Sequence, residues 1–116
     1  DATGRFPHEA VYELRTSGLL GLSLPREVGG MAARPEDLVD VVSRVAAACG
    51  STAMIYLMHV SSAMVVAAAA PSGQPDLVRQ LATGEALGTL AFSEPGSRSH
   101  FWAPVSRGQA VDGGVR

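Results

Sequence analysis

Eight consecutive residues, Ser93-Glu94-Pro95-Gly96-Ser97-Arg98-Ser99-His100, crowd three hydroxyls, a carboxylate, a guanidinium and an imidazole around a Pro-Gly pair. Pro95 fixes φ and Gly96 admits left-handed angles, so the chain is expected to turn there. Such a turn can aim backbone N–H groups and the hydroxyls of Ser93, Ser97 and Ser99 at one spot. Clustered donors suit an anionic or heteroaromatic ligand with acceptor oxygens. Arg98 would add positive charge. The same residues would equally make an ordinary polar turn.

Elsewhere the chemistry is sparse. His8, His59 and His100 have no partner at ligand spacing and there is no Cys/His cluster, so no metal site is expected. No P-loop and no G-x-G-x-x-G is present, and Gly29-Gly30 reads as a turn. No G-x-S-x-G supports an activated serine. Glu36, Asp37 and Asp40 fall at a helix start and on its exposed face, the usual solvated arrangement. His59 lies inside an apolar helix, where it must find a hydrogen bond or stay neutral. It reads as a satisfied core histidine or as a cavity-lining one. Cys49, the lone cysteine, excludes an internal disulfide and reads as a small buried hydrophobe in an Ala-rich helical run.

The elements that position these residues are mostly helical. Pro7 opens a short amphipathic helix carrying Ala10, Val11 and Leu14, with Gly18 as its stop. Leu19 to Leu24 reads as a buried crossing segment. Pro35 opens the next helix, with Glu36 and Asp37 in its first turn. There Leu38, Val41, Val42, Val45 and Ala48 or Cys49 recur on one buried face. Gly50 ends it, and Ser51 or Thr52 can cap its successor.

Ala53 to Ala70 is uncharged, so a membrane span must be weighed against the roughly 20 strongly apolar residues one requires. The polar His59, Ser61 and Ser62, and flanks without basic anchors, favour a central helix packed on nearly all sides in a soluble domain. A last helix runs from Asp76 to Ala82, with Leu77, Val78 and Leu81 inward. After a turn at Thr83-Gly84-Glu85, "ALGTLAFSE" reads as a buried strand. "FWAPVSRGQAV" reads as a weaker extended segment, and Asp112-Gly113-Gly114 as a hairpin turn with its return strand from Val115. So brief a return arm leads us to expect a piece of a longer protein.

Composition agrees with a globular chain: 116 residues, 47% apolar and 17% charged, with a formal net charge of −2. All nine basic residues are arginines and no basic stripe is visible, so a nucleic-acid interface is not expected.

Three stretches carry a family resemblance. "GLLGLSLPREVGG" is similar to an approach to a P-x-x-x-GG turn. "GSTAMIYLMHVSSAM" is similar to a Ser-Thr-Ala helix with an embedded histidine. "LATGEALGTLAFSEPGSRSH" is similar to an L-x-x-G-x-x-x-G-x-x-A-x-T-E-P-x-x-G-S-D passage. In that order the chain resembles the acyl-CoA dehydrogenase family. The resemblance implies a mainly α fold: an N-terminal helical domain over 1–84, then the first strands of a truncated middle β-barrel domain over 85–116. It implies FAD as cofactor, with Leu90, Ala91, Phe92, Ser93, Glu94, Pro95, Gly96, Ser97, Arg98 and Ser99 wrapping the flavin and diphosphate. Ser93 would face the flavin's pyrimidine edge, and Ser99 would also touch the acyl-CoA. The implied reaction is α,β-dehydrogenation of an acyl-CoA thioester. Its catalytic base is expected in a C-terminal domain outside this chain, so the piece alone is expected to be inactive.

The same resemblance implies an electron-transfer acceptor, a homodimer or homotetramer, and a cytoplasmic location. Alternatives are an acyl-CoA oxidase or flavin-dependent monooxygenase of the same fold, or a non-catalytic helical interaction module. The pattern departs at Arg98, where the family has Gly, and at His100, where it has Asp.

Overall fold

Pro7 and Gly18 bracket the first helix. In the computed structural model, which describes residues 4–71, 73–91, 93–98, 100 and 103–116, α1 spans His8–Thr16 with Pro7 at its N-cap. Gly18 follows in the left-handed region, φ 74°, and releases the chain into a 3-10 turn, Leu19–Gly21. A second 3-10 turn, Arg26–Val28, ends at Gly29 with φ 89°. The crossing segment is buried as its sequence predicts: Leu20, Leu22 and Leu24 all lie in the interior.

Helix α2 spans Pro35–Ala48. Asp37 accepts from the backbone N–H of Arg34 at 3.0 Å, which serves a donor that the helix start would leave unpaired. The Arg34 guanidinium also bonds this carboxylate and holds it below the usual carboxylate pKa. Helix α3 spans Gly50–Ala68 and α4 spans Leu77–Thr83. Two short antiparallel strands close the chain, β1 Ala110–Val111 and β2 Gly114–Val115, with Ala110 opposite Val115 and Val111 opposite Gly114.

The core has two parts. Leu14, Leu20, Tyr56 and Val60 form one, against which Leu38, Val41, Val42 and Val45 of α2 pack half-buried. Leu24, Ala63, Leu81 and Ala82 form the other. Tyr56 is fully buried, and its hydroxyl donates to the Leu19 carbonyl at 2.9 Å. Burial pushes that phenol up to about 12, so it stays protonated across the working range. Tyr56→Phe removes the bond without leaving a cavity. It should lower stability by about 1 kcal/mol, read as a lower urea midpoint at unchanged slope. An unmoved midpoint would show that water serves the Leu19 carbonyl equally well.

Four sequence expectations are corrected. "ALGTLAFSE" forms no strand among the described residues, and Leu87, Thr89 and Ala91 are exposed. A strand is stabilised by the ladder it shares with a neighbour, and among the described residues no backbone ladder pairs this segment with another. Next, α3 is long and apolar enough by composition to cross a membrane, but it is not packed on nearly all sides. Thr52, Ala53, Tyr56, His59, Val60, Ser62 and Ala63 are buried, while Met54, Met64 and Val65 are exposed.

Third, Gly50 does not end α2; it begins α3. Cys49 alone joins the two helices, in an extended conformation with φ −156° and ψ 111°. Cys49 is therefore not a core residue of a helical run but a half-exposed cap. Hydrogen bonding from Thr52 lowers its thiol below the usual value. Finally, the return strand of the Asp112-Gly113 hairpin begins at Gly114 rather than Val115, and Gln109 and Arg116 exchange backbone hydrogen bonds beyond the ladder.

Candidate functional site

The turn singled out by its residue types is real, and its bonds are local. Ser97 N–H donates to the Glu94 carbonyl at 3.2 Å, and His100 N–H to the Ser97 carbonyl at 3.0 Å. Gly96 has φ 93° and Arg98 φ 53°. The second value carries information. A left-handed backbone costs a residue with a Cβ roughly 1 kcal/mol and costs glycine little. Arg98 thus occupies a backbone conformation suited to glycine, with its guanidinium in solvent.

Ser97 does not join the donor cluster. It is buried, its hydroxyl donates to the Glu94 carbonyl at 3.1 Å, and its Oγ accepts from Glu94 N–H at 3.3 Å. That hydroxyl builds the turn instead of facing a ligand. Glu94 is equally committed. Its Oε2 accepts from the N–H groups of Val105, at 2.9 Å, and Ser106, at 2.8 Å. Those donors lower its pKa below the ordinary carboxylate value.

Ser93 is exposed, and neither its hydroxyl nor its N–H has a partner among the described residues. Leu90 is half-buried, Ala91 exposed, and Pro95 and Gly96 exposed at the tip. Phe92 and Ser99, the latter also the substrate-side expectation, lie outside the described residues. Among the described residues, the expected polar contacts not spent on building the turn are those of Ser93 and Arg98, on a turn braced by Ser97 and Glu94.

His59 is fully buried, as a satisfied core histidine would be. Its Nδ1 accepts from Gly88 N–H at 3.1 Å, and its Nε2 donates to the Leu20 carbonyl at 3.2 Å. Those two bonds define one neutral tautomer, with the proton on Nε2. Burial lowers its pKa below the ordinary imidazole value. Sequence reasoning missed two open grooves that meet at Leu87. One, about 720 Å³, runs along α1 past Phe6, Tyr12 and Arg15. The other, about 350 Å³, lies between Met54, Ile55 and Met58 of α3 and Leu87–Thr89. Neither is legible in one dimension, because each joins segments well separated along the chain.

The family model described as acyl-CoA dehydrogenase, N-terminal domain, matches residues 1–85. The chain belongs to the acyl-CoA dehydrogenase family. It is 33% identical to the probable acyl-CoA dehydrogenase YngJ of Bacillus subtilis, over 85% of this chain and 27% of that protein. It is also 33% identical to a dibenzothiophene monooxygenase of Mycolicibacterium goodii, over 98% of this chain and 28% of the relative. With the mitochondrial isovaleryl-CoA dehydrogenase of Oryza sativa it shares 30%, over 98% of this chain and 29% of the relative. The chain thus spans less than a third of these relatives' length. No solved structure matches it significantly.

Proposed function

We propose that this chain is the helical entry domain of a FAD-dependent oxidoreductase that removes α and β hydrogens from an acyl-CoA thioester. The observation that carries the reading is Ser93: an exposed hydroxyl and backbone N–H, both unpartnered among the described residues, on a braced turn. Two free donors fit the pyrimidine edge of a flavin. Bound there, the flavin would supply a two-electron acceptor. The chain's own part is electrostatic. Ser93 donors would stabilise negative charge developing at that edge, as an oxyanion hole does. Arg98, exposed on the same turn, would contact a phosphate of FAD or CoA. Glu94 is not assigned as the base, because it belongs to the turn and its Oε2 accepts from Val105 and Ser106. The base would come from outside this chain, as would an electron acceptor and the contacts of a cytoplasmic homodimer or homotetramer.

The first test is the visible absorbance of the purified complete protein, with bleaching on anaerobic addition of acyl-CoA. A colourless protein that cannot be loaded with FAD defeats the reading. Arg98 supplies a finer prediction. Arg98→Ala and Arg98→Gly should both weaken FAD or acyl-CoA binding by about tenfold, the size of a partly exposed charge-assisted contact. Gly should relieve the backbone strain that Ala retains. If Arg98→Gly binds both ligands as tightly as wild type, the guanidinium has no such contact.

A second reading rests on the 33% identity to a monooxygenase over nearly the whole chain. Under it, the flavin site would be the same and the substrate an aromatic sulfur heterocycle. Oxygen-dependent turnover of dibenzothiophene with reduced flavin, without bleaching by acyl-CoA, would favour it.

A further inference from the structure

The described residues from Leu87 to Arg98 lie outside any helix or strand, yet they must aim the turn. Ala86 N–H is anchored to the Gln80 carbonyl at 3.1 Å. Beyond that point, Gly88 N–H to His59 Nδ1 is, among the described residues, the hydrogen bond that ties residues 87–98 to the helices. Gly88 reaches the imidazole because it lacks a side chain: a Cβ there would overlap Ser62 Oγ and crowd Leu81. Ser62 is itself fixed, donating to the His59 carbonyl at 2.8 Å. The ring is fixed from its other side by the Leu20 carbonyl. The last tie before the turn is thus made by a titratable ring buried between α3, the first 3-10 turn and α4.

We propose that His59, in its neutral Nε2–H tautomer, is the positioning residue for the turn at Ser93 to Arg98, and that its protonation releases Gly88 and the turn together. This rests on the flavin reading for what the turn does, but not for how it is held. A proton on Nδ1 would face the Gly88 N–H donor to donor, so the bond cannot survive it. Among the described residues, no neighbouring charge compensates. The first 3-10 turn presents the Leu20 carbonyl and α4 the backbone of Leu81, neutral groups whose bonds favour the charged ring less than burial disfavours it, and Arg79 of α4 turns outward to Glu85 at 2.7 Å. On α3 itself Tyr56 is protonated and bonded to Leu19. The charged groups of α2, Arg34 with Asp37 and Arg44 with Asp40, pair at its surface, and those of α1 are exposed.

The sign follows from burial. A histidine whose folded pKa is lowered contributes fully above its ordinary value of 6.5 and loses that contribution as pH falls beneath it.

The experiment uses the complete protein as wild type, His59→Gln and His59→Leu. Glutamine can donate and accept like the neutral ring but does not titrate. FAD affinity and hydrogen exchange of peptides spanning 84–98 are measured at pH 7.5 and 5.5, with exchange corrected for its intrinsic pH dependence. Wild type should protect the segment at pH 7.5. At pH 5.5 it should lose about tenfold in both protection and affinity, one pH unit of proton competition being about a factor of ten. His59→Gln should be flat across that range and close to wild type at pH 7.5. His59→Leu should be unprotected at both pH values with its helical circular dichroism retained.

A wild-type pH response in His59→Gln, or wild-type protection in His59→Leu, overturns the proposal. If His59→Leu does not fold, wild type against His59→Gln still decides. If no form binds FAD, the flavin reading fails, while the exchange data still decide how the turn is held.

Discussion

Gly30→Ala is expected to lower stability by about 2–3 kcal/mol, with a fall in Tm on the order of 10 °C. The cause is a backbone crossing. Residues 30–33 run alongside residues 21–25, with Met31 N–H donating to the Gly21 carbonyl at 3.0 Å, Ala33 N–H to Leu22 at 2.9 Å and Ala32 N–H to Leu24 at 2.8 Å. A methyl at position 30 would overlap the Leu24 carbonyl and press on the Gly21 oxygen. Main-chain atoms cannot rotate aside as a side chain would. Gly21, the neighbouring residue in the crossing, abuts the Ala82 carbonyl of α4, so displacing the crossing also disturbs that helix. The control is the same substitution at Gly50, the first residue of α3, where a Cβ meets open space. Gly50→Ala should raise stability by about 0.5 kcal/mol, through a less flexible unfolded chain. Thermal melts of the two variants should move in opposite directions. A neutral Gly30→Ala would mean that the crossing yields.

Glu94→Ala should open the loop that the Glu94 carboxylate closes onto Val105 and Ser106. Trypsin cleavage after Arg98 and Arg107 reports this directly, because both lie in or beside that loop. When opening is faster than cleavage, the rate follows the open population. Loss of both N–H acceptors should raise the rate by about tenfold, with Glu94→Gln between the two, since its amide oxygen still accepts. The pH dependence has a definite sign. The Ser106 and Val105 donors lower the folded pKa of Glu94 beneath its ordinary 4.5. Closure is therefore complete above pH 4.5 and is lost as pH falls through the depressed value. Cleavage that is indifferent to Glu94→Ala would show that the loop is held by other contacts.

Much of the helical body was legible because helices announce themselves locally. Pro7, Gly18, Pro35 and Gly84 act on the backbone within a residue or two, and the Leu38-Val41-Val42-Val45 spacing needs no partner to be read. His59 was legible as a buried group needing a bond; which atoms served it was not, because Leu20 and Gly88 lie 39 and 29 residues away in sequence. The residues after Gly84 were misread for a related reason. A short apolar run after a turn describes a segment that could enter a ladder, whereas a strand exists only where a second backbone meets it. Ser97 failed differently. A serine beside a turn has its own main chain as the nearest competitor for its hydroxyl, and here that competitor wins. Arg98 was legible in part: the family resemblance marked it as standing where glycine is usual, and its backbone takes the left-handed conformation that glycine adopts cheaply.

The single-residue corner at Cys49 makes the α2–α3 pair a length-coded device. Each residue added to a helix advances its azimuth by about 100°. With one extended residue between the helices, there is no slack to absorb a change in count. One amino acid inserted at this corner would have to be taken up within a helix, swinging Tyr56 and His59 away from the carbonyls of Leu19 and Leu20. The connection from Ala69 to Asp76 carries no such phase, and can lengthen without resetting either neighbour. Natural variation in chain length should therefore be forbidden at the first junction and free at the second.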